Sequence, residues 1–310
     1  MDFVTLLSKK RPFLMGISII MIMFFHNLWV RDVEWLKPIN YYGYFGVDVF
    51  LFVSGFGIFY SLKKNSLKTY FRNRIVRIIP LCLICGFVKF IISHFVLHDD
   101  SSWGWQSLIG FDQWYIKGII VLYLLSPCFY KLLEKYGYYL LIVSYLVAII
   151  SLQVITNMTL CLFFPRIPVF LLGMMIASNK IKFSNKLLIV SFLFFVIAVF
   201  HRLSLICGWM TLGSEMHTVL FLSIGIFFFL WLLLCLYHLF KWLNLMPFMN
   251  FSGRHSLELF LLHTYVYWNI IPAYYSQLPP ALTFATAIIV SYVFAYFVFL
   301  LNLLLQFHKR

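Results

Sequence analysis

The sequence predicts an all-α fold, a polytopic membrane helical bundle of about ten transmembrane helices with N- and C-termini in the cytoplasm. Three observations carry that expectation. Hydrophobic residues make up 63% of the 310 positions and charged residues only 11%. The apolar residues fall in runs of roughly 20, the length a helix needs to cross a bilayer. The charge lies mostly between those runs and is basic, with 24 Lys and Arg against 10 Asp and Glu.

The runs, bounded by charge or turn residues, cover 12–30, 43–62, 77–97, 113–130, 138–156, 160–178, 187–203, 216–238, 254–273 and 279–305. Their flanks order them. Lys9 to Arg11 precede the first run, and Lys63 to Arg77 separate the second from the third. Lys131 and Lys135 part the fourth from the fifth, and Lys180 to Lys186 part the sixth from the seventh. Lys241 and Arg254 flank the turn into the ninth, and Lys309 and Arg310 close the tenth. With the N-terminus inside, these inner segments hold 18 of the 24 basic residues. The outer segments hold only Arg31, Lys37 and Arg202, and Lys89, Lys117 and Arg166 fall within spans. That bias follows the positive-inside rule.

The net charge of +14 is therefore expected to face anionic lipid headgroups at a cytoplasmic rim. It does not read as a nucleic-acid footprint. The first 11 residues carry no cleavable signal pattern, so the first run is kept as structure in a multi-pass protein of the inner (cytoplasmic) membrane. The loops around 63–76 and 98–112 are too short to fold alone, so residues 1–310 read as a single transmembrane domain. The six cysteines lie mostly in apolar runs, and the Cys82–Cys85 spacing has neither a second pair nor a nearby histidine, so no metal site is expected. Nothing in the sequence indicates an oligomeric state.

Ionisable residues inside apolar runs are costly and mark candidate sites. His26 lies about 20 Å along the first helix at 1.5 Å per residue, and Asp48 enters the second from the outer side. Lys117 and Arg166 reach a similar depth on the fourth and sixth runs. One imidazole, one carboxylate and two cations from four helices could thus converge below the outer surface. Taken singly, each has a plain alternative: a hydrogen bond to a neighbouring helix for His26, a helix cap for Asp48, and snorkelling for Lys117 and Arg166. Arg72, Arg74 and Arg77 crowd the inner end of the third run, where they form either an ordinary positive-inside cluster or a phosphate-binding fork. Glu258 and His263 lie on the ninth run, five residues apart and so not closely on one face, with Arg254 as a candidate partner for Glu258.

Six segments in register over about 250 residues resemble the acyltransferase family 3 membrane proteins, the O-acyltransferases of bacterial surface polysaccharides and related acceptors. They are FFH ending at His26, GVDVFLFVSGF (46–56), FRNRIVRIIP (71–80), WYIKGIIVLYLLSP (114–127), RIPVFLLG (166–173) and SLELFLLH (256–263). One departure stands out: the arginine usual eleven residues before the histidine is Met15 here, and Arg11, one turn earlier, is the candidate replacement. The resemblance implies an O-acyltransferase that carries an acyl group, acetyl foremost, from cytoplasmic acyl-CoA to a hydroxyl of a sugar or polysaccharide acceptor. His26 is then the expected general base or, in a covalent variant, the acyl carrier. Asp48 is expected to orient the ring, Lys117 or Arg166 to stabilise the oxyanion, and Arg74 and Arg77, with Arg72 and Arg11, to hold the donor phosphates. The rival readings are a transporter or flippase of a lipid-linked sugar or small anion, with the same residues lining its path, and a non-catalytic membrane scaffold.

Overall fold

The computed structural model describes residues 2–29, 36–99, 104, 106, 110–208, 215–275 and 277–307; Arg31, Lys309 and Arg310 lie outside the described residues. Helix dominates these residues, and no strand occurs among them. Among the described residues seven helical stretches are long and apolar enough to cross a membrane: Ile39–Lys64, Leu67–Leu97, Trp114–Tyr136, Met158–Ala177, Asn185–Ile206, Met216–Trp242 and Pro280–Leu305. Two more, Arg11–His26 and Tyr138–Val154, are apolar but shorter. The ninth expected run is not one helix. It begins earlier, at Met246, breaks at His255 between Met246–Arg254 and Ser256–Tyr265, passes through a π-helical turn at Val266–Ile270, and ends as Ile271–Tyr275.

Burial separates the centre of the bundle from its rim. The apolar windows of Ile39–Lys64 and Met158–Ala177 are 78% and 72% buried, whereas those of Asn185–Ile206 and Pro280–Leu305 are 17% buried. The first two therefore form the core, and the last two present Ile189, Leu193, Ile289 and Val293 outward, as helices facing lipid do. Small residues let the core backbones touch. A side chain at Gly55 would collide with the backbone of Phe170, and one at Gly173 with that of Phe52. Gly16 and Gly253 make the same kind of crossing, each facing the other helix's backbone at Met249 and Pro12. That crossing ties the His26 helix to the segment that carries His263.

The first helix ends sooner than its apolar run suggests. It spans Arg11–His26, and Asn27 is already extended (φ −80°, ψ 101°). The cause is polar: Asn40, buried on the short helix Lys37–Tyr41, turns its Nδ2 to the carbonyls of Phe24, Phe25 (3.4 Å) and Asn27 (3.3 Å). These are carbonyls that a continuing helix would have used internally. Arg202, counted with the outer loops by its sequence position, is instead 2% exposed on Asn185–Ile206, with its guanidinium 5.4 and 5.2 Å from the ring centres of Tyr41 and Tyr44.

Candidate active site

His26 is the last residue of its helix, held there by the Asn40 cap. Its ring partner comes from the broken ninth segment: His26 Nδ1 and His263 Nε2 are 2.9 Å apart. His263 is fully buried, and its Nδ1 lies 2.9 Å from the Leu259 carbonyl oxygen, one turn back on the same helix. This chain of contacts fixes the protons. A carbonyl only accepts, so His263 Nδ1 carries hydrogen, and with both rings neutral its Nε2 must accept. His26 Nδ1 is then the donor, which leaves the lone pair of His26 on Nε2. A backbone carbonyl thus sets the tautomer of one histidine, and that histidine sets the tautomer of the next.

Asp48 does not take the orienting role expected of it. Its carboxylate, fully buried, lies 3.3 Å from Nε of Arg166, itself 2% exposed. Arg166 also donates through Nη1 to the Leu162 carbonyl (2.8 Å), and its guanidinium lies 5.0 Å from the centre of the Trp114 ring. Two of the four residues expected at one depth are thus brought together, as each other's counter-ion. Lys117 is half-buried and lines neither cavity at His26. Glu258, for which Arg254 was the candidate partner, approaches His255 instead, at 3.7 Å.

Two cavities meet at His26. One of about 280 Å³ is bounded by the polar side chains of Asp112, Gln113, Thr264 and Asn269 and by Trp268, and the other, of about 220 Å³, by the apolar side chains of Ile22, Val47, Leu162 and Met216 and by Arg166. His26, Trp114 and Phe260 belong to both. A third, small cavity of about 50 Å³ lies towards the other end of the first helix, where Arg11, Met15, Arg77, Tyr115 and Tyr123 line it. Phe260 lines this one too. Buried to 5% and packed against Tyr115 with ring centres 4.7 Å apart, its ring is the partition between the arginine cavity and the imidazole.

The four arginines divide. Arg11 and Arg77 share this third cavity, which no carboxylate among the described residues lines, so their charge is available to an anion. Arg11 reaches it past Gly57, where a side chain would press on its Nη1 at 3.3 Å. Arg74 lies alongside, its guanidinium 5.5 and 5.3 Å from the ring centres of Tyr70 and Tyr123, and Arg72 is exposed. Met15 lines the same cavity as Arg11, one turn away, which is the geometry that substitution of one by the other requires. Among the described residues no group of three or more His, Cys, Asp or Glu could hold a metal ion.

Sequence reasoning did not anticipate the His26–His263 contact, the Asn40 cap, or the ion pair of Lys89 with Asp112 at 2.8 Å. Lys89 was visible as an intramembrane charge, but its partner sits in the loop before Trp114, where hydropathy gives no signal.

An acyltransferase-domain model, that of the acyltransferase 3 family, matches residues 13–300. The chain belongs to the acyltransferase 3 family. Matching nearly the whole chain, and set on a helical bundle with membrane-length helices, it makes this protein a multi-pass membrane acyltransferase. No curated protein and no solved structure gives a match.

Proposed function

We propose that this acyltransferase 3 protein carries an acyl group, acetyl foremost, from cytoplasmic acyl-CoA to a hydroxyl of a sugar or glycan acceptor at the inner membrane, with His26 as general base. The observation that carries the reading is the 2.9 Å contact of His26 Nδ1 with His263 Nε2 at the meeting point of the cavities. It leaves His26 Nε2 as the basic nitrogen of a ring held at Nδ1 by His263.

The acceptor hydroxyl would give its proton to Nε2 as its oxygen attacks the thioester carbonyl. The charge that builds on the imidazole is then shared through the hydrogen bond to His263, much as a carboxylate shares it in hydrolase triads. Collapse of the tetrahedral intermediate breaks the C–S bond, and the imidazolium returns the proton to the departing sulfur. Base assistance of this kind is typically worth about 10²- to 10⁴-fold. Arg166, lining the apolar cavity, is the candidate for stabilising the oxyanion, with Asp48 balancing its charge before and after the reaction. Arg11 and Arg77, with Arg74 beside them, would take the donor's phosphates, because paired guanidinium forks match phosphate oxygens. For the slim pantetheine arm to reach His26, Phe260 must swing aside.

The test is a whole-cell O-acetylation assay at matched membrane abundance, comparing wild type with His26→Ala and with the double variant Arg11→Ala, Arg77→Ala. Both variants are expected to lose product, the double variant through failed CoA binding. Normal product from His26→Ala removes the base, and unchanged CoA-induced thermal stabilisation of the purified double variant removes the phosphate site.

A further inference from the structure

We infer that the polar cavity beside His26 binds a single neutral sugar ring, and that Gln113 Oε1 accepts a hydrogen bond from a second hydroxyl of that ring, selecting polyols over simple alcohols. The inference rests on the reading of His26 as the base and locates the acceptor relative to it.

Gln113 closes the loop just before the Trp114–Tyr136 helix, and its amide is pinned. Nε2 donates to the Leu261 carbonyl and to Thr264 Oγ1, both at 3.1 Å. Both amide hydrogens are thereby used, which fixes the oxygen on the opposite side. Gln113 Oε1 is buried and has no hydrogen-bond partner among the described residues. A buried acceptor left without a donor is costly, and this one belongs to a residue lining the cavity that His26 lines. It calls for a ligand that donates.

The rest of the wall narrows the chemistry. Trp114 and Trp268 offer aromatic faces, suited to the apolar C–H face of a sugar ring, and Thr264 and Asn269 offer short polar groups. Trp268 stands edge-on to His26, with ring centres 6.2 Å apart and planes at 85°. Among the described residues the carboxylate on the wall is that of Asp112, neutralised by Lys89 at 2.8 Å, and these residues offer no spare cation to a phosphate. Its volume of about 280 Å³ lies near the small end of the ~300–1,000 Å³ usual for ligand sites, room for one ring. Trp268 and Asn269 both sit on the π-helical turn Val266–Ile270, an irregularity that is frequent where a helix is adapted to a ligand.

The experiment uses the full chain in lipid nanodiscs, because glucoside detergents would compete for the site. A panel of methyl hexopyranosides, including N-acetylamino and 6-deoxy forms, is compared with cyclohexylmethanol, which has a similar ring and a single hydroxyl. Thermal stabilisation is measured without CoA, and turnover with acetyl-CoA. At least one glycoside is expected to stabilise the wild type and to be acetylated in preference to cyclohexylmethanol. Gln113→Leu should cut kcat/KM for that glycoside about tenfold more than for cyclohexylmethanol, the shared part reporting the lost bonds to Leu261 and Thr264 and the difference the hydrogen bond to the sugar. Trp268→Leu, at a site 57% exposed and so tolerant of change, should weaken every glycoside alike. Stabilisation of Gln113→Leu by CoA reports that the variant is folded. If no glycoside stabilises the wild type, or if folded Gln113→Leu and Trp268→Leu both retain wild-type preference, the inference fails. Loss of acetyl-CoA turnover with sugar binding intact would instead count against the catalytic reading.

Discussion

Replacing His263 by leucine tests the relay directly. In the ground state the change removes one neutral hydrogen bond, the 2.9 Å contact to His26 Nδ1. In the transition state the same bond is donated by an imidazolium, and hydrogen bonds to charged groups are worth about 1.5–3 kcal/mol. Only the excess over the ground-state bond, about 1–1.5 kcal/mol, counts towards the rate, so at 1.36 kcal/mol per factor of ten kcat should fall by about 5- to 13-fold. KM for acetyl-CoA should stay within about twofold, because the arginine cavity does not involve His263. The assay is the initial rate of free-thiol release from acetyl-CoA by purified protein in nanodiscs, with acceptor present. His263→Gln places an amide oxygen within reach of Nδ1 and should recover most of the loss, which a purely structural role would not produce. A leucine variant that turns over within twofold of wild type, or leucine and glutamine variants equally impaired, would refute the assignment of the proton chain.

Three further outcomes follow from the same geometry. Phe260→Ala should join the arginine cavity to the chambers at His26 and admit water, raising acceptor-independent hydrolysis of acetyl-CoA at least tenfold, and adding His26→Ala should return it to background; unchanged hydrolysis in the single variant would show that the ring is not the partition. Asp48→Asn should leave Arg166 as an unbalanced buried cation and lower unfolding stability by about 3–5 kcal/mol, whereas Asp48→Asn combined with Arg166→Met should regain stability without activity; thermal unfolding in nanodiscs reads both. Asn40→Ala should fray the helix end that carries His26, lowering kcat about tenfold for a loss of about 1–2 kcal/mol of local hydrogen bonding, read as faster amide exchange at Phe24 to Asn27.

Much of the helical layout is legible in the sequence because it is dictated by a strong constraint: backbone groups in lipid must bond internally, so long apolar runs become helices. Seven of the ten expected runs match membrane-length helices among the described residues, and Asp48 and Arg166, matched by depth alone, do meet. What depth leaves out is azimuth, and Lys117 shows the cost, sharing the layer without lining the chamber. The place of His263 beside His26 is hidden for a different reason. Placing the start of its span at 254 sets it near the midplane, but the helical segment begins at Met246, about 25 Å before His263 at 1.5 Å per residue, close to the roughly 22 Å that separates His26 from Arg11. The break at His255 hides that from any search for one unbroken apolar run. Gln113 and Asp112 lie in a loop whose composition carries no periodicity, so their place beside the imidazole emerges only in three dimensions.

The brevity of the His26 helix decides which reactant travels. Sixteen residues rise about 24 Å, short of the ~30 Å of hydrocarbon in a typical membrane. In the proposed orientation the imidazole therefore stands roughly one helical turn beneath the headgroups of the far leaflet. A hydrated acceptor needs to shed little of its water to arrive there, while the long, flexible donor threads the rest of the distance from below. On the proposed reading the protein need not ferry a glycan across lipid at all; it would bring activated carbon up to a shallow well.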